Sequence, residues 1–463
     1  MNCFRLVPYT CAAVLSVSCS LPSGFSRSRA PLPLAWKNAG KFPTAVPSKD
    51  LSRWWGRFQD ATLSRIIADS LRNNPDLASA SARVREARAR RNAEASSLFP
   101  TLGGSSALGS SSASTLGGSS SASTSSSAGL SASWEIDLFG KNRSNLEAVS
   151  AQFGATEENF HSAQAALAAE IAIAYTRLRV SEAALDVFRR TIKTREETTK
   201  LATWRMQSGE ADSLESSQAV SSLEQAKAAI PALQQTISES RNLLALLAGQ
   251  APGALDSLLS SGKKSIPIPP SSLAIGIPAD TIRQRPDVRA AGYQLLAAAA
   301  RTHAAMAERY PSLNLSGSLG LNTLGSGKVF DPQSTSAGIA AGITSPIFNA
   351  GRIRSNIEAQ DAAEEQAYHG YRATVLTALS EVEDALIACR RSAERLVALD
   401  KATVSAREAA MLAQQRYQAG ETDIFTVLDS QRSLLGLEES LFTVRADCSI
   451  AYIQLYKALG GGW

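Results

Sequence analysis

Ile277-Pro-Ala-Asp-Thr-Ile-Arg-Gln-Arg-Pro-Asp-Val-Arg289 lies just past the middle of a 463-residue chain, and its reading decides the fold. Taken alone it is a helix start. Pro278 and Asp280 suit a first turn, and Arg283, Arg285 and Arg289 are expected to share an exposed face. Laid on the first half of the chain, Pro286-Asp287-Val288 falls on Pro75-Asp76-Leu77, an offset of 211. The same offset pairs Pro100 with Pro311, Gly140 with Gly351, Glu170 with Glu381, Arg205 with Arg416, Gly209 with Gly420, Asp212 with Asp423 and Gly249 with Gly460. Arg143-Ser-Asn-Leu-Glu-Ala148 likewise lies on Arg354-Ser-Asn-Ile-Glu-Ala359. One offset held over so many landmarks is an internal duplication.

Each copy has the same punctuation. A helix from Asn74 to about Leu98 ends at Phe99-Pro100. Composition alone reads the Ser/Gly/Ala-rich stretch that follows, Thr101 to Ser133, as a flexible linker. Its end argues otherwise: Leu130, Ala132, Trp134, Ile136 and Leu138 alternate with Ser131, Ser133, Glu135 and Asp137, the two-residue period of a strand. In the second copy Leu313, Leu315, Leu319 and Leu321 alternate with polar residues, as do Ala337, Ile339, Ala341 and Ile343 with small ones. After Gly140 the composition turns to Ala, Glu, Gln, Leu and Arg. Leu167, Ile171, Ala174, Leu178, Ser181, Leu185, Phe188 and Ile192 recur at spacings of three and four, a heptad seam that returns as Val382, Ala385, Cys389, Ser392, Leu396 and Leu399. Lys141 to Trp204 as unbroken helix would be roughly 95 Å long. The seam breaks near Gly209, and a second helix returns to about Gly249. Each half is therefore expected to be helix, β-hairpin, long helix, turn, helix.

The organisation follows. Residues 1–18 read as a secretory leader, with Arg5 before the apolar run Tyr9 to Val17 and small residues before Cys19. Cys19 fits lipidation as the first residue of a mature lipoprotein. Ser16 stands where that signal usually has leucine, so cleavage without a lipid is the other reading; too little apolar run precedes Cys3 or Cys11. Residues 19–53, with five prolines, are an extended tether. The first repeat is 54–250 (hairpin about 101–138, turn about 205–213), a crossover covers 251–279, and the second repeat is 280–463 (hairpin about 312–346, turn about 416–424). Trp54-Trp55-x-x-Phe58 opens an amphipathic, core-facing segment. Cys389 and Cys448, in apolar helical settings, are expected to be buried thiols.

A net charge of +5 is weak for this length and argues against a nucleic-acid binder. The five arginines from Arg83 to Arg91 read as a solvated helix face. No run of about 18 apolar residues makes a transmembrane helix. His161, His303 and His369 are scattered, and neither a phosphate-cradling loop nor a nucleophile elbow is present, so no enzyme, metal or cofactor is implied. Four strands are too few to close a membrane barrel, and lipid does not tolerate unpaired edges. If these strands enter a bilayer, several chains must share one barrel whose polar face would line water, with the long helices continuing the tube.

The chain resembles the TolC-like outer membrane factors, in particular the lipoprotein branch serving tripartite RND-type efflux pumps (NodT-type outer membrane lipoproteins). The stretches that carry the resemblance are Trp54-Trp55-x-x-Phe58, Asn74-Pro75-Asp76-Leu77, Trp134-Glu-Ile-Asp-Leu-Phe-Gly140, Arg283-Gln-Arg-Pro-Asp-Val-Arg289, Pro346-Ile-Phe-x-x-Gly351, Arg416-Tyr-Gln-Ala-Gly420 and Val427-Leu-Asp429. The resemblance implies a mainly α fold with a transmembrane β-barrel contribution. It implies a homotrimer with a 12-stranded barrel in outer-membrane lipid on a long α-helical barrel in the periplasm. The implied partners are a periplasmic adaptor and an inner-membrane RND-type pump, and the implied function is the passive exit duct for small molecules. It also makes Arg205, Gly209, Arg416, Tyr417 and Gly420 the periplasmic tip, and Glu215 and Asp429 acidic gate residues. Thr422 and Thr426 depart from the gate pattern, and a solvated acid at a helix start is the plainer reading of either carboxylate. A duct for protein secretion and a periplasmic coiled-coil adaptor are the alternatives.

Overall fold

The computed structural model describes residues 33–39, 51–115, 119–262, 264–270, 278–324 and 335–462. The leader, Cys19 and most of the proline-rich tether lie outside them. Helix α1 (Ala61–Asn73) and helix α2 (Pro75–Ala95) lead to strands β1 (Thr101–Thr115) and β2 (Ser119–Ile136), then to helices α3 (Lys141–Gln207) and α4 (Ser213–Leu247). Short helices α5 (Asp256–Ser261) and α6 (Pro278–Gln284) precede the second copy: α7 (Pro286–Ala307), β3 (Ser312–Leu324), β4 (Thr335–Thr344), α8 (Arg352–Gln418) and α9 (Ile424–Ala458). The bounds of α8 and α9 fall 211 positions after those of α3 and α4 at both ends. α3 and α8 each have 67 residues, about 100 Å of helix at 1.5 Å per residue. Both follow a glycine at positive φ, Gly140 (82°) and Gly351 (85°), where a side chain would be strained. No described helix is long and apolar enough to cross a membrane.

The four strands form one antiparallel sheet in the order β1-β2-β3-β4. Leu130 is paired with Gly104 on one side and Leu319 on the other; Trp134 faces Leu315, and Leu315 faces Ala341. Residues directly opposite share a face. Leu102, Leu108, Leu130, Trp134, Ile136, Leu313, Leu315, Leu319, Ile339 and Ile343 therefore all lie on one side of the sheet. Ser131, Ser133, Glu135, Asn314, Ser316 and Ser318 lie on the other. The Ser/Gly stretch is strand, not linker. Nothing in the described chain covers the apolar side: Leu108, Ile339 and Ile343 are 85%, 87% and 75% exposed. Phe99, Trp134, Phe139, Tyr310 and Phe348 gather at the helical end of the sheet, with Phe139 stacked on Tyr310 at 4.7 Å.

The core sits where the repeats meet. Trp54 is fully buried and stacks on Tyr456 at 5.4 Å, so Trp54-Trp55-x-x-Phe58 faces the core as a short 3-10 turn. Asp60 caps α1 through Leu63 N–H (3.0 Å) and accepts from the Tyr175 hydroxyl (2.9 Å). Buried Arg179 donates to that hydroxyl and to the Leu259 carbonyl, and pairs with Glu182, which also holds Arg241. Burial, then the Asp60 charge, push the Tyr175 hydroxyl up to about 12 against the opposing pull of Arg179. Cys389 and Cys448 are buried free thiols. The heptad seam is internal through its middle: Ile171, Leu178, Val382 and Ala385 are at most 4% exposed.

Two sequence expectations are corrected. The described part of the Ile277–Arg289 stretch, residues 278–289, is not one helix with an exposed arginine face. α6 stops at Gln284, Arg285 is in extended conformation (ψ 129°), and α7 restarts at Pro286. That break turns Arg285 inward to 5% exposure, where it binds Asp287 (2.6 Å), Glu381 (2.6 Å) and the Ala458 carbonyl (3.0 Å). The tether also makes a packed contact within residues 33–39. Trp36 is buried, and the Lys37 and Asn38 amides donate to the Glu383 carboxylate (2.7 and 3.1 Å).

Candidate functional site

The far ends of the two helical hairpins carry most of the residues singled out by sequence. Both turns close alike. Gly209 and Gly420 have φ +78°, and the next amide in each, Glu210 or Glu421, donates to the carbonyl of Arg205 or Arg416 (2.8 and 2.9 Å). This is the Schellman closure of a helix, which needs the left-handed residue that glycine supplies. Arg205 and Arg416 therefore hold equivalent backbone places.

Their side chains differ. Tyr417 is fully buried among Ala202, Ala219, Ala413, Ile424 and Val427, residues drawn from all four long helices. The Arg205 guanidinium lies over its ring at 5.0 Å and donates to the Tyr417 carbonyl (3.4 Å). The Tyr417 hydroxyl donates to Glu215 Oε2 (3.2 Å) across the two hairpins. Burial, then the nearby Glu215 charge, raise the Tyr417 pKa, so the hydroxyl keeps its proton for this bond. The residue 211 places earlier is Met206, so only one of the two turns can supply the link.

Glu215, half-buried in the first turn of α4, is thus brought together with Arg205 and Tyr417. Arg416 and Asp429 are not. Both are exposed, and among the described residues neither side chain has a hydrogen bond or ion pair. Two turns behind the tip lies a polar layer that sequence reasoning missed. Gln431 donates to Thr198 Oγ1 (3.3 Å) and Gln414 Oε1 (3.2 Å), and buried Arg195 donates to the Ser222 carbonyl (2.6 Å). Burial, then the Arg432 charge, lower the Arg195 pKa. Thr198 and Gln431 at core-facing spacing in an apolar seam were the available signal. Among the described residues no group of His, Cys, Asp and Glu could hold a metal ion.

Comparison with known proteins gives the context. The family model described as outer membrane efflux protein matches residues 66–250 and 277–461, two stretches that begin and end 211 positions apart. The toluene efflux pump outer membrane protein TtgI of Pseudomonas putida is 30% identical, with the alignment covering 99% of this chain and 98% of that protein. The cation efflux system protein CusC of Escherichia coli is 28% identical over the full length of both. Among solved structures, the outer-membrane channel OprN superposes with a TM-score of 0.88 at 30% identity, covering 95% of this chain and 99% of that one. The duplicated helix–hairpin–helix architecture, the two-faced sheet and a family match over both repeats agree: the chain belongs to the outer membrane efflux protein family.

Proposed function

We propose that three copies of this chain share one 12-stranded barrel in the outer membrane, and that their long helices continue it as a tube into the periplasm. The chain is an outer-membrane efflux duct by family; the trimer, its partners and its gate are the inferred parts. The observation that carries the reading is the sheet. Its apolar face is bare and continuous across all four strands, and β1 and β4 each have an outer edge without a partner among the described residues. Lipid accepts such a face and forbids such edges, so neighbouring copies must pair β4 with β1. The aromatic cluster at the helical end suits the lower membrane interface.

Cys19 carries the lipid in this proposal, and the tips meet a periplasmic adaptor coupled to an inner-membrane RND-type pump. The contact of Arg205, Tyr417 and Glu215 holds the two hairpins together in a closed tip. Exposed Arg416 and Asp429 are left to face neighbouring copies or the bore. Three-fold symmetry would repeat Asp429 as a ring of carboxylates favouring cations. The relatives are named for toluene and for cations, so the common tube does not by itself choose cargo. Extraction in detergent should give a particle of three times the chain mass with conductance in planar bilayers. A monomer without conductance would end the proposal.

A further inference from the structure

Three cations gather where the sheet gives way to the helices, and none of them has a partner. Lys141 and Arg352 are the first residues of α3 and α8, 211 positions apart, and Arg301 lies on α7, which packs between those two helices. Among the described residues none of the three side chains makes a hydrogen bond or an ion pair. A cation in the first turn opposes the helix dipole, and neither α3 nor α8 has an acid there to offset it. Both copies nevertheless carry one, followed a turn later by an asparagine, Asn145 and Asn356.

Lys141, Asn145, Arg301, Glu308 and Asn356 line one cavity of about 190 Å³ across α3, α7 and α8. Arg352 stands one turn before Asn356 on the same face of α8. Against the three cations there is one acid, Glu308, whose carboxylate accepts only the Asn356 amide (3.4 Å). The groove belongs to the lipid side of the layer. Asp137 continues the polar row of β2, and Arg143 reaches its carboxylate at 3.2 Å. Lys141 is two residues earlier, about 200° round the helix, and so on the side of the apolar row. The stacked pair Phe139 and Tyr310 lies two residues before Lys141 and two after Glu308, so the groove opens just beyond the aromatic end of the apolar face.

We propose that this groove is a binding site for an anionic phospholipid of the leaflet on the helical side, its phosphate held by Lys141, Arg301 and Arg352. Asn145 and Asn356 donate to the ester oxygens, and the acyl chains run over Phe139 onto the apolar face of the sheet. Three cations against one acid favour a headgroup of net negative charge over a zwitterion, and a phosphate at the start of α3 and α8 also meets the positive ends of their dipoles. The proposal rests on the membrane-barrel reading above and adds a lipid site to it.

The test is native mass spectrometry of the full-length protein in mild detergent with added dioleoyl phosphatidylglycerol or dioleoyl phosphatidylethanolamine. The unaltered protein should retain phosphatidylglycerol up to one molecule per chain, about tenfold more readily than phosphatidylethanolamine. Lys141→Gln, Arg301→Gln and Arg352→Gln together should cut that retention by about tenfold or more, whereas Glu308→Gln should raise it. The same charge change at exposed Lys193, Lys200 and Lys401, far down α3 and α8, should leave it unchanged. Removing a cation from a first turn does not weaken the helix, so the triple variant should assemble as the unaltered protein does. Equal retention of the two lipids by a conducting trimer, a preference for phosphatidylethanolamine, or retention that the triple variant does not lower would overturn the lipid site and leave the shared duct standing. Monomers without conductance, in the unaltered protein, would overturn the duct reading itself.

Discussion

A single residue shows how the duplicated chain is pinned together. Arg285 sits in the break between α6 and α7 and reaches the carbonyl of Ala458 near the end of α9, as well as Asp287 and Glu381. Burial works against the charge of both Arg285 and Asp287. Their mutual hydrogen bonds and attraction outweigh it, leaving the arginine above its usual value and the aspartate below its usual 3.8. A carboxyl with a depressed folded pKa contributes stability that is complete above its unfolded value and is lost as pH falls through the folded one. Wild-type protein should therefore lose stability as pH drops below about 4. Asp287→Asn should lack that part of the acid loss while being less stable at neutral pH, by about 1 kcal/mol for this partly exposed group. Unfolding midpoints in detergent followed by circular dichroism from neutral pH to about pH 3 would check both. Parallel acid curves for the two proteins would show that Asp287 is not the group responsible.

At the scale of elements, the sheet makes the sharper statement. Its function as a lipid face depends on register, because a one-residue slip would send every apolar side chain to the other side. Ile339 and Ser318 are exposed on opposite faces, so the same arginine should behave differently at each. Ile339→Arg places a charge toward lipid at about 2–4 kcal/mol near the bilayer middle, whereas Ser318→Arg faces water. The first should sharply reduce the amount of protein recovered in outer-membrane fractions, and the second should leave it near wild type. Equal recovery would mean that the faces are assigned the wrong way round. Alternation in Leu130 to Leu138 and Leu313 to Leu321, together with one fixed offset, made this sheet legible in the sequence. The break at Arg285 was not legible, because Pro286 is as compatible with the first turn of a continuing cap as with a restart. The Arg205–Tyr417–Glu215 contact was half legible. Each residue was marked by its motif, but their meeting depends on how two hairpins 211 positions apart lie side by side, which local pattern does not encode.

For the whole molecule, the two repeats are near copies in backbone and unequal at the tip, and that inequality separates two roles. Tyr417 has Met206 as its counterpart, and Asp429 has Gln218. The first difference gives a link between hairpins; the second gives an exposed charge that three-fold assembly would repeat three times around the bore. A link governs how often the tip opens, while a ring of charge governs which ions pass once it is open. Tyr417→Phe and Glu215→Ala, which remove the bond between hairpins, should therefore raise resting conductance in planar bilayers with little change in ion preference. Asp429→Lys should leave resting conductance nearly unchanged and shift the preference from cations toward anions. The shift should be large at about 0.1 M salt and shrink toward 1 M, as the screening length falls from roughly 10 to 3 Å. If Asp429→Lys alters opening but not selectivity, the carboxylate belongs to the latch and not to the lining. If neither set changes the single-channel record, the tip is held by contacts between copies.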